Sequence, residues 1–528
     1  MMMKVLVSEE LDRAGIELFE ARDGLEVDVK TGLSPEELLS IIGDYHALVI
    51  RAETQVTEQV LDAAPNLKVI ARAGAGLDNV NIDAATLKGV AVMNTPGGSN
   101  VTTAEHAIAM MMALTRNIPQ GTASLKAGRW AKKEFQGREV ANKTLGVMGF
   151  GNIGAIVAKL AKGLNMTVIV CDPNISSKHI EKEGYEAVSM EDLYARADYI
   201  SLHVPKLDST IDLLDMDAFE AMKDGVMLIN CARGGIVNEA ALHEALTSGK
   251  VAGAALDVFS TEPPGEHPLL TLDQVIATPH LGASTREAQT HVAVAAARQV
   301  IAYLFDGTVI NAVNVPSVSG DLLKQLGPFL YLCEKMGKMQ AQITQGGVRE
   351  VNIEYIGKFP NPDLKPVTIA GLKGLINEFA PYEVNAVNAM TRAGDMGIKI
   401  TESLAQEAGN FLNLIRMTVV TDDQTNIVEG TIFGKDDARI VRINKFRLEV
   451  IPQGHLGLIH NVDKPGSIGS IGIKLGEHNV NISRMMVGRE EDGQRNIIFL
   501  RTDTPVTPEV VKEIENLPLV VKMTTFEL

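Results

Sequence analysis

Residues 145–154 read Leu-Gly-Val-Met-Gly-Phe-Gly-Asn-Ile-Gly, and this stretch decides the fold of the chain. An apolar strand runs directly into the spacing G-x-G-x-x-G, which opens a helix, as in dinucleotide-binding units. Gly149 permits the tight turn, Gly151 lets a pyrophosphate approach the backbone, and Gly154 lets the helix pack closely on the strand. The free N–H groups of that helix would bind the phosphates. A purely structural glycine turn is the alternative interpretation.

The next predicted strand, Thr167–Cys171, ends directly before Asp172. Asp172 follows Gly154 by about 18 residues, close to the spacing of the acidic residue in dinucleotide-binding units. A carboxylate at this place accepts from the ribose hydroxyls and repels a 2′-phosphate. The sequence therefore predicts NAD rather than NADP as the cofactor.

Working outward from this stretch, short apolar strands alternate with helical segments in two blocks, residues 4–95 and 144–284. Runs of β-branched residues separated by helices indicate parallel sheets covered on both faces. The sequence predicts an α/β fold with two doubly wound, Rossmann-like domains and a cleft between them. A long helix rich in Ala and Met is predicted over Asn100–Ile118.

The rest of the chain predicts a different architecture. Residues 316–450 mix helical patterns with strands, which indicates an α+β domain. Residues 454–528 follow the order strand, helix, strand, strand, helix, strand, which is the ferredoxin-like plan. The predicted domains are residues 1–98 plus 285–315, residues 99–284, residues 316–450 and residues 454–528.

The composition excludes several classes of protein. The 528 residues carry 66 acidic and 49 basic side chains, so neither nucleic acid nor an anionic membrane is expected as a partner. The longest apolar runs, such as Ala107–Leu114, are far shorter than the ~18 residues of a membrane-spanning helix. Three cysteines form neither a disulfide framework nor a Cys-x-x-Cys site, so no metal is expected. Without a signal-peptide pattern, the chain is expected in the cytoplasm.

Three polar segments follow strands of the second block: Asn230–Gly235, Asp257–Pro264 and Thr278–Thr285. They therefore lie at the carboxyl edge of the predicted sheet, where ligands bind. Each contains one residue that suits oxidation of a hydroxy acid, and these three residues are Arg233, Glu262 and His280.

Hydride transfer from an alcohol requires a base, and an imidazole such as that of His280 suits this role near neutral pH. Glu262 would orient the ring, and Arg233 would hold a substrate carboxylate with its planar fork. Each residue alone is as easily a loop or turn residue. Three of them in series after the glycine motif favour a catalytic set.

These motifs, together with Arg72–Val80 (Arg-Ala-Gly-Ala-Gly-Leu-Asp-Asn-Val), carry a family resemblance. Over about residues 1–315 the chain resembles the D-isomer-specific 2-hydroxyacid dehydrogenases. Its remainder resembles the intervening and ACT domains of the long branch of that family. That branch oxidises D-3-phosphoglycerate to 3-phosphohydroxypyruvate with NAD, the first step of L-serine biosynthesis, so the resemblance implies this function.

The resemblance also implies roles for individual residues. It assigns catalysis to Arg233, Glu262 and His280. It implies NAD contacts at the loop glycines and at the following residues: Asn152, Ile153, Asp172, Cys231, Ala232, Arg233, Asp257, His280, Leu281, Gly282 and Ala283.

A phosphorylated substrate carries more negative charge than lactate or glycerate and needs cations beyond Arg233. Arg51 and Arg72 each follow a predicted strand of the first block, so both are expected to face the cleft. The resemblance places Arg51 and the segment Arg72, Ala73 and Gly74 at the substrate.

ACT domains bind small amino acids where two of them meet, so the resemblance implies L-serine as an effector and a homodimer or homotetramer. Asp463 would pair with the ligand ammonium, and Asn461 and Asn481 would bond its polar groups; ordinary turn chemistry is the alternative. Two other functions stay open. One is another D-2-hydroxyacid dehydrogenase, such as a glycerate, glyoxylate or 2-oxoglutarate reductase. The other is a non-catalytic, NAD-sensing binding protein on the same fold.

Overall fold

The computed structural model describes residues 2–317, 320–489 and 495–528. The strands of its first sheet are β1 (Met3–Val7), β2 (Leu25–Val29), β3 (Ala47–Ile50), β4 (Val69–Arg72) and β5 (Ala91–Asn94). The helices between them are α1 (Arg13–Glu20), α2 (Pro35–Ile41), α3 (Glu58–Asp62) and α4 (Ile82–Leu87). The strands are parallel in the order β2-β1-β3-β4-β5. Because the order reverses between β1 and β3, a crevice opens at the carboxyl ends of these two strands.

The second sheet contains β6 (Thr144–Met148), β7 (Thr167–Cys171), β8 (Glu186–Ala187), β9 (Tyr199–Leu202), β10 (Val226–Asn230), β11 (Val251–Leu256) and β12 (Val275–Ala277). Its helices are α5 (Asn100–Thr115), α6 (Ile118–Lys126), α7 (Asn152–Gly163), α8 (Ser177–Lys182), α9 (Met190–Arg196), α10 (Met216–Ala221) and α11 (Glu239–Thr247). All seven strands are parallel, in the order β12-β11-β10-β9-β6-β7-β8. Strands β3, β9 and β10 are buried at every position, as a sheet covered on both faces requires.

The helix predicted over Asn100–Ile118 is confirmed over Asn100–Thr115, the range of α5. Helix α5 ends at Thr115, and Asn117 adopts a left-handed conformation (φ 53°) before α6 begins. Pro119 sits in the first turn of α6, where a missing N–H costs nothing. The predicted helix ends three residues beyond Thr115, because the residue pattern does not show a single left-handed residue.

The chain crosses between the two domains twice, through α5 and through the segment before α12 (Arg286–Asp306). Helix α12 starts at the N-cap Thr285 and packs against α1. Gly15 of α1 lies so close to the Ala293 backbone that a Cβ atom would collide with it. The two crossings contact each other, since the hydroxyls of Thr102 and Thr285 lie 3.2 Å apart.

The third domain consists of α13 (Gly320–Ile343), β13 (Val348–Gly357), α14 (Lys365–Ile376), α15 (Ala389–Asp395), β14 (Lys399–Ala405), β15 (Asn413–Thr421), β16 (Thr425–Phe433), β17 (Asp437–Ile443) and β18 (Phe446–Val450). Its mixed sheet has the order β14-β13-β15-β16-β17-β18, and only β13 and β14 pair in parallel. Helices α13 and α14 pack closely on each other and on this sheet.

The last domain contains β19 (His455–Val462), α16 (Ser467–Glu477), β20 (Ile482–Arg489), β21 (Arg495–Thr502), α17 (Pro508–Glu515) and β22 (Val520–Glu527). Its antiparallel sheet has the order β20-β21-β19-β22. One face packs on α16 and α17, whereas the other joins the hydrophobic core of the third domain. The predicted fold class is confirmed. Within the described ranges, no helix has both the length and the apolar character needed to cross a bilayer.

Candidate active site

The loop between β6 and α7 has the backbone geometry of a phosphate cradle. Gly149 adopts φ 93°, and a Cβ atom there would lie 2.6 Å from the His203 carbonyl oxygen. A Cβ atom on Gly154 would collide with the Gly149 carbonyl, so the close packing of helix on strand requires glycine. A Cβ atom on Gly151, by contrast, would meet open space, which leaves room for a ligand at the backbone. Helix α7 begins at Asn152, so its first N–H groups face this space.

Asp172 lies at the end of β7, beside this loop. Its Oδ2 accepts from the Phe150 N–H (2.7 Å), and its Oδ1 accepts from the N–H groups of Asn174 (2.8 Å) and Ile175 (3.1 Å). The carboxylate thus ties the glycine loop to the neighbouring strand. Oδ1 already accepts two hydrogen bonds, whereas Oδ2 accepts one and has a second lone pair. The contact of Asp172 with ribose hydroxyls remains a prediction.

Asp257, at the end of β11, organises the carboxyl edge of the second sheet. Its side chain is only 1% exposed and accepts from the N–H groups of Leu281 (2.7 Å) and Gly282 (2.8 Å) and from Thr278 Oγ1 (2.6 Å). His106 Nε2 lies 3.2 Å from the same carboxylate. Burial raises the pKa of Asp257, but these hydrogen bonds outweigh it and hold the pKa below its ordinary value.

The sequence analysis missed His106, and it gave Thr278 no role beyond its place in a polar segment, because these contacts join α5 to a distant loop. The ligand atoms of His106, Cys231 and Asp257 lie within 4.8 Å of one another. Burial raises the pKa of the Cys231 thiol, and the oxygens of Asp257 already accept several hydrogen bonds. We therefore interpret the group as a hydrogen-bonded network; the absence of a metal remains a prediction.

His280 and Glu262 form the hydrogen bond expected of a base and its orienting partner. His280 Nδ1 lies 2.7 Å from Glu262 Oε2, and the Phe259 N–H donates to Glu262 Oε1 at 3.1 Å. Although burial raises the pKa of Glu262, these bonds outweigh it and the pKa lies below its ordinary value. Nδ1 is engaged by the carboxylate, so Nε2 is the nitrogen left for a substrate.

The backbone of His280 is in the left-handed region, with φ 54°. Its N–H is held by the carbonyl oxygens of Asp257 (2.9 Å) and Thr278 (3.0 Å). A non-glycine residue in this region costs free energy and persists only where the surroundings fix it. The Asp257 network therefore determines where the imidazole lies.

Arg233 follows β10 and reaches the first domain. Its Nε donates to Asp78 Oδ2 at 3.0 Å, and its Nη1 donates to the Ala232 carbonyl at 2.7 Å. Cys231 and Ala232 form the turn that leads into it, and the Ala232 N–H donates to Asn230 Oδ1 (3.0 Å). The ion pair of Arg233 with Asp78 brings the two domains together at the predicted catalytic residues.

On the first domain, Arg72 shapes the loop that faces Arg233. Its Nε donates to the Arg51 carbonyl at 2.7 Å, and its Nη1 donates to the Gly76 carbonyl. Burial, with the charge of Arg233 as the second cause, lowers the pKa of Arg72 to about 10. Ala73 is buried and its N–H bonds the Ile50 carbonyl (2.9 Å), so Ala73 offers its backbone rather than its side chain.

The other two predicted substrate residues lie on the same crevice. The Gly74 carbonyl accepts from the Thr95 N–H (2.9 Å), and a Cβ atom on Gly74 would lie 3.5 Å from Arg72 Nη1. The Arg51 guanidinium donates to the Glu10 carbonyl at 3.4 Å. Both residues thus stand at the carboxyl ends of β3 and β4, and their contact with substrate stays a prediction.

Glu9 is a buried acid at this crevice that the sequence analysis missed. Its two oxygens accept from four consecutive backbone N–H groups, those of residues 51–54, at 2.8–3.0 Å. Burial raises the pKa of Glu9, but the N–H groups outweigh it and lower the pKa. The acid lies two residues after the end of β1, and that position at a switch point was the available signal.

A second polar cluster lies in the last domain. Asn461 Nδ2 donates to Ser467 Oγ at 2.7 Å, and Asp463 Oδ1 accepts from Asn496 Nδ2 at 3.0 Å. The Oδ1 atoms of Asn461 and Asn496 are buried and have no hydrogen-bond partner within the described part of the chain. Two unmet acceptors therefore lie beside a carboxylate.

Asn481 does not join this cluster within one chain. It directly precedes β20, at the end of the sheet where Thr502 pairs with His455, whereas Asn461 stands at the other end of β19. The separation along the strand is about 20 Å. Its amide donates to Asp503 at 2.6 Å.

Family models match three of the four domains. The model of the NAD binding domain of D-isomer specific 2-hydroxyacid dehydrogenases matches residues 108–282. The D-3-phosphoglycerate dehydrogenase intervening domain matches residues 325–444, and the ACT domain matches residues 458–519.

Full-length relatives and solved structures agree with these matches. The D-3-phosphoglycerate dehydrogenases of Archaeoglobus fulgidus and Bacillus subtilis are 43% and 38% identical, and each alignment covers 100% of both chains. A D-lactate dehydrogenase from Aquifex aeolicus, solved with NAD and lactic acid, is 28% identical at a TM-score of 0.53; it covers 59% of this chain and 100% of its own. A formate dehydrogenase from Staphylococcus aureus, solved with NAD, is 28% identical at a TM-score of 0.55. Its alignment covers 60% of this chain and 100% of the formate dehydrogenase. The chain therefore belongs to the D-3-phosphoglycerate dehydrogenases, which are NAD-dependent oxidoreductases of the D-isomer-specific 2-hydroxyacid dehydrogenase family.

Proposed function

We propose that the protein oxidises D-3-phosphoglycerate to 3-phosphohydroxypyruvate with NAD, as the entry step of L-serine biosynthesis. The observation that carries this proposal is the pairing of His280 with Glu262 at 2.7 Å on a sheet edge that also presents Arg233. The identity to D-3-phosphoglycerate dehydrogenases over the whole chain supports the choice of substrate.

The cleft has the features that NAD requires. The open space at Gly151 and the N-terminus of α7 suit the pyrophosphate, and the acidic side chain of Asp172 disfavours a 2′-phosphate. When bound, NAD accepts the hydride from C2 of the hydroxy acid.

The protein's own groups perform the rest of the step. Arg233 binds the substrate carboxylate and polarises the carbonyl that forms at C2. His280 Nε2 takes the proton of the C2 hydroxyl, and Glu262 stabilises the resulting imidazolium through Nδ1. Arg51 and the loop that begins at Arg72 supply positive charge for the phosphate, which carries about −1.5 to −2 charge at pH 7.

A substrate panel tests this proposal. Purified full-length protein is assayed for NADH formation with D-3-phosphoglycerate, D-glycerate, D-lactate and D-2-hydroxyglutarate. We expect D-3-phosphoglycerate to give by far the largest kcat/KM. A preference for an unphosphorylated acid would favour a glycerate, glyoxylate or 2-oxoglutarate reductase, and NAD binding without turnover of any acid would favour an NAD-sensing binding protein.

L-Serine is the proposed effector, and the polar cluster of the ACT domain supports this. An ammonium group has three donors, which match the Oδ1 atoms of Asn461 and Asn496 and the carboxylate of Asp463. Asn481 lies too far away to bind the same ligand within one chain, so its proposed contact comes from a second copy. A site shared between two copies agrees with the proposed homodimer or homotetramer. The cytoplasm is the proposed location of the protein.

Titration calorimetry with L-serine and with D-serine checks this effector. We expect heat with the L-isomer and a lowered rate of NADH formation, since an effector acts through different affinities for two conformations. If L-serine produces no heat and no inhibition, the proposed effector is refuted and the catalytic proposal stays intact.

A further inference from the structure

Asp78 contacts Arg233 from the other side of the cleft. Its Oδ2 accepts from Arg233 Nε at 3.0 Å. Asp78 follows β4 of the first domain, whereas Arg233 follows β10 of the second, so the ion pair joins the domains at the active site. The proposed substrate carboxylate needs the same guanidinium, so the pair bears on how that carboxylate is bound.

Two contacts orient the guanidinium of Arg233. Nε is held by Asp78 in the opposite domain, and Nη1 is held by the Ala232 carbonyl (2.7 Å) in its own domain. Nη2 lies over Gly76, where any Cβ atom would collide with it. Because a guanidinium is planar and carries five N–H donors, two anchored donors fix its plane and the Nη2 end can bind an anion.

Asp78 is also a counter-charge within a group of arginines. The charge of Arg233 adds to burial in lowering the pKa of Arg72, and Asp78 acts against that effect. Asp78 thus reduces the repulsion between two guanidiniums that face the same space. Its side chain is 59% exposed, so an anion diffusing into the cleft can reach the ion pair.

The loop that carries Asp78 is held in place by its own contacts. Asn79, the next residue, is buried and donates to the carbonyls of Thr54 (2.7 Å) and Arg51 (3.1 Å). The Asp78 carboxylate therefore projects from a fixed backbone rather than from a free turn.

We infer that Asp78 is a positioning residue for Arg233, which fixes the guanidinium through Nε and offsets its charge until an anionic substrate binds at the Nη2 end. The inference rests on the proposed function, since it assumes that Arg233 binds the substrate carboxylate. A permanent counter-charge makes the cleft discriminate against small inorganic anions. The substrate overcomes this discrimination because it also reaches other cations.

Three variants of the full-length protein test this role. Asp78→Asn keeps an acceptor for Nε but removes the charge, whereas Asp78→Ala removes both. Asp62→Asn is the matched control, because Asp62 forms a surface ion pair with Lys88 (2.5 Å) in the same domain. The measurements are kcat and KM for D-3-phosphoglycerate and the inhibition constant of sulfate.

Both Asp78 variants should bind sulfate about fivefold more tightly, because a carboxylate no longer opposes the anion. Asp78→Ala should also lower kcat about tenfold with little change in KM, since the guanidinium loses its fixed plane. Asp78→Asn should lower kcat less, and Asp62→Asn should match the wild type in every constant.

An unchanged sulfate constant in both Asp78 variants would overturn the inference, as would an Asp78→Ala variant with the kcat of the wild type. If Asp78→Ala does not fold, the sulfate constant of Asp78→Asn decides by itself. A wild-type protein that does not oxidise D-3-phosphoglycerate refutes the proposed function instead. The comparison is then made with the hydroxy acid that it does oxidise.

Discussion

The catalytic cleft and the polar cluster of the ACT domain are built in opposite ways. In the cleft, polar side chains are hydrogen-bonded before any ligand binds, as His280 is to Glu262 (2.7 Å). In the ACT cluster, Asn461 and Asn496 each bury an amide oxygen without a partner in the described part of the chain. Groups that are already hydrogen-bonded need no reorganisation during the reaction. An acceptor without a partner, by contrast, favours binding of a ligand that donates a hydrogen bond to it. The groups of the first region are already paired within one chain, whereas the second region has unmet acceptors that the proposed effector would fill.

The sharpest test of this contrast removes the imidazole from the cleft. His280→Asn should lower kcat by about 10³-fold, because the proton acceptor is lost, while Asn tolerates the left-handed backbone. NADH formation measures the loss, and serine calorimetry should be unaffected because the ACT cluster is untouched. His243→Gln on α11 is the control and should keep full activity. A His280→Asn enzyme of ordinary kcat would remove the basis of the proposed mechanism.

The next test separates the phosphate from the rest of the substrate. Arg51→Ala should lower kcat/KM for D-3-phosphoglycerate about 10- to 100-fold, the worth of a charged hydrogen bond. The kcat/KM for D-glycerate should fall much less, because D-glycerate lacks the phosphate. Arg13→Ala, an exposed arginine paired with Glu20, is the control. Equal losses with both acids would contradict the assignment of Arg51 to the phosphate.

A smaller effect is expected in the ACT cluster. Asn496→Ala should raise the serine concentration for half-inhibition about tenfold, because one acceptor for the ammonium is removed. The kcat without serine should stay that of the wild type, since the cleft is in another domain. Asn516→Ala at the end of α17 serves as the control. Unaltered serine inhibition in Asn496→Ala would show that the unmet oxygen is not part of the effector site.

The smallest expected effect concerns the stability of the cleft loop. Glu9→Gln should lower the free energy of unfolding by about 1–3 kcal/mol at pH 7. The reason is that an amide NH₂ would face backbone N–H groups that now donate hydrogen bonds to Glu9. The pKa of Glu9 is lowered in the folded protein, so its contribution is present above the unfolded pKa and disappears as pH falls through the folded one. The difference in melting temperature from wild type should therefore shrink between pH 7 and pH 3. Glu10→Gln is the control, and a pH-independent difference would contradict the role of the charge.

The sequence predicted the structure best where a short motif is explained by local backbone geometry. Gly149 adopts the positive φ that the motif predicts, and a Cβ atom on Gly154 has no room. The sequence predicted least where partners are distant along the chain. His106 contacts Asp257 from a helix that apolar periodicity alone describes, and nothing near Asn496 in sequence indicates that it faces Asp463.

By itself, the sequence predicted the alternation of strands and helices in the first two blocks, the ferredoxin-like order of residues 454–528 and the nucleotide loop, because periodicity and backbone constraints act over a few residues. It also suggested the three residues proposed for catalysis. Only the tertiary structure decided which groups meet across the cleft: Asp78 with Arg233, and Glu9 with the loop after β3. It also decided that Asn481 and Asn461 stand at opposite ends of one sheet. Hydrogen bonds and ion pairs act over a few ångströms, and which side chains come that close depends on how the domains pack.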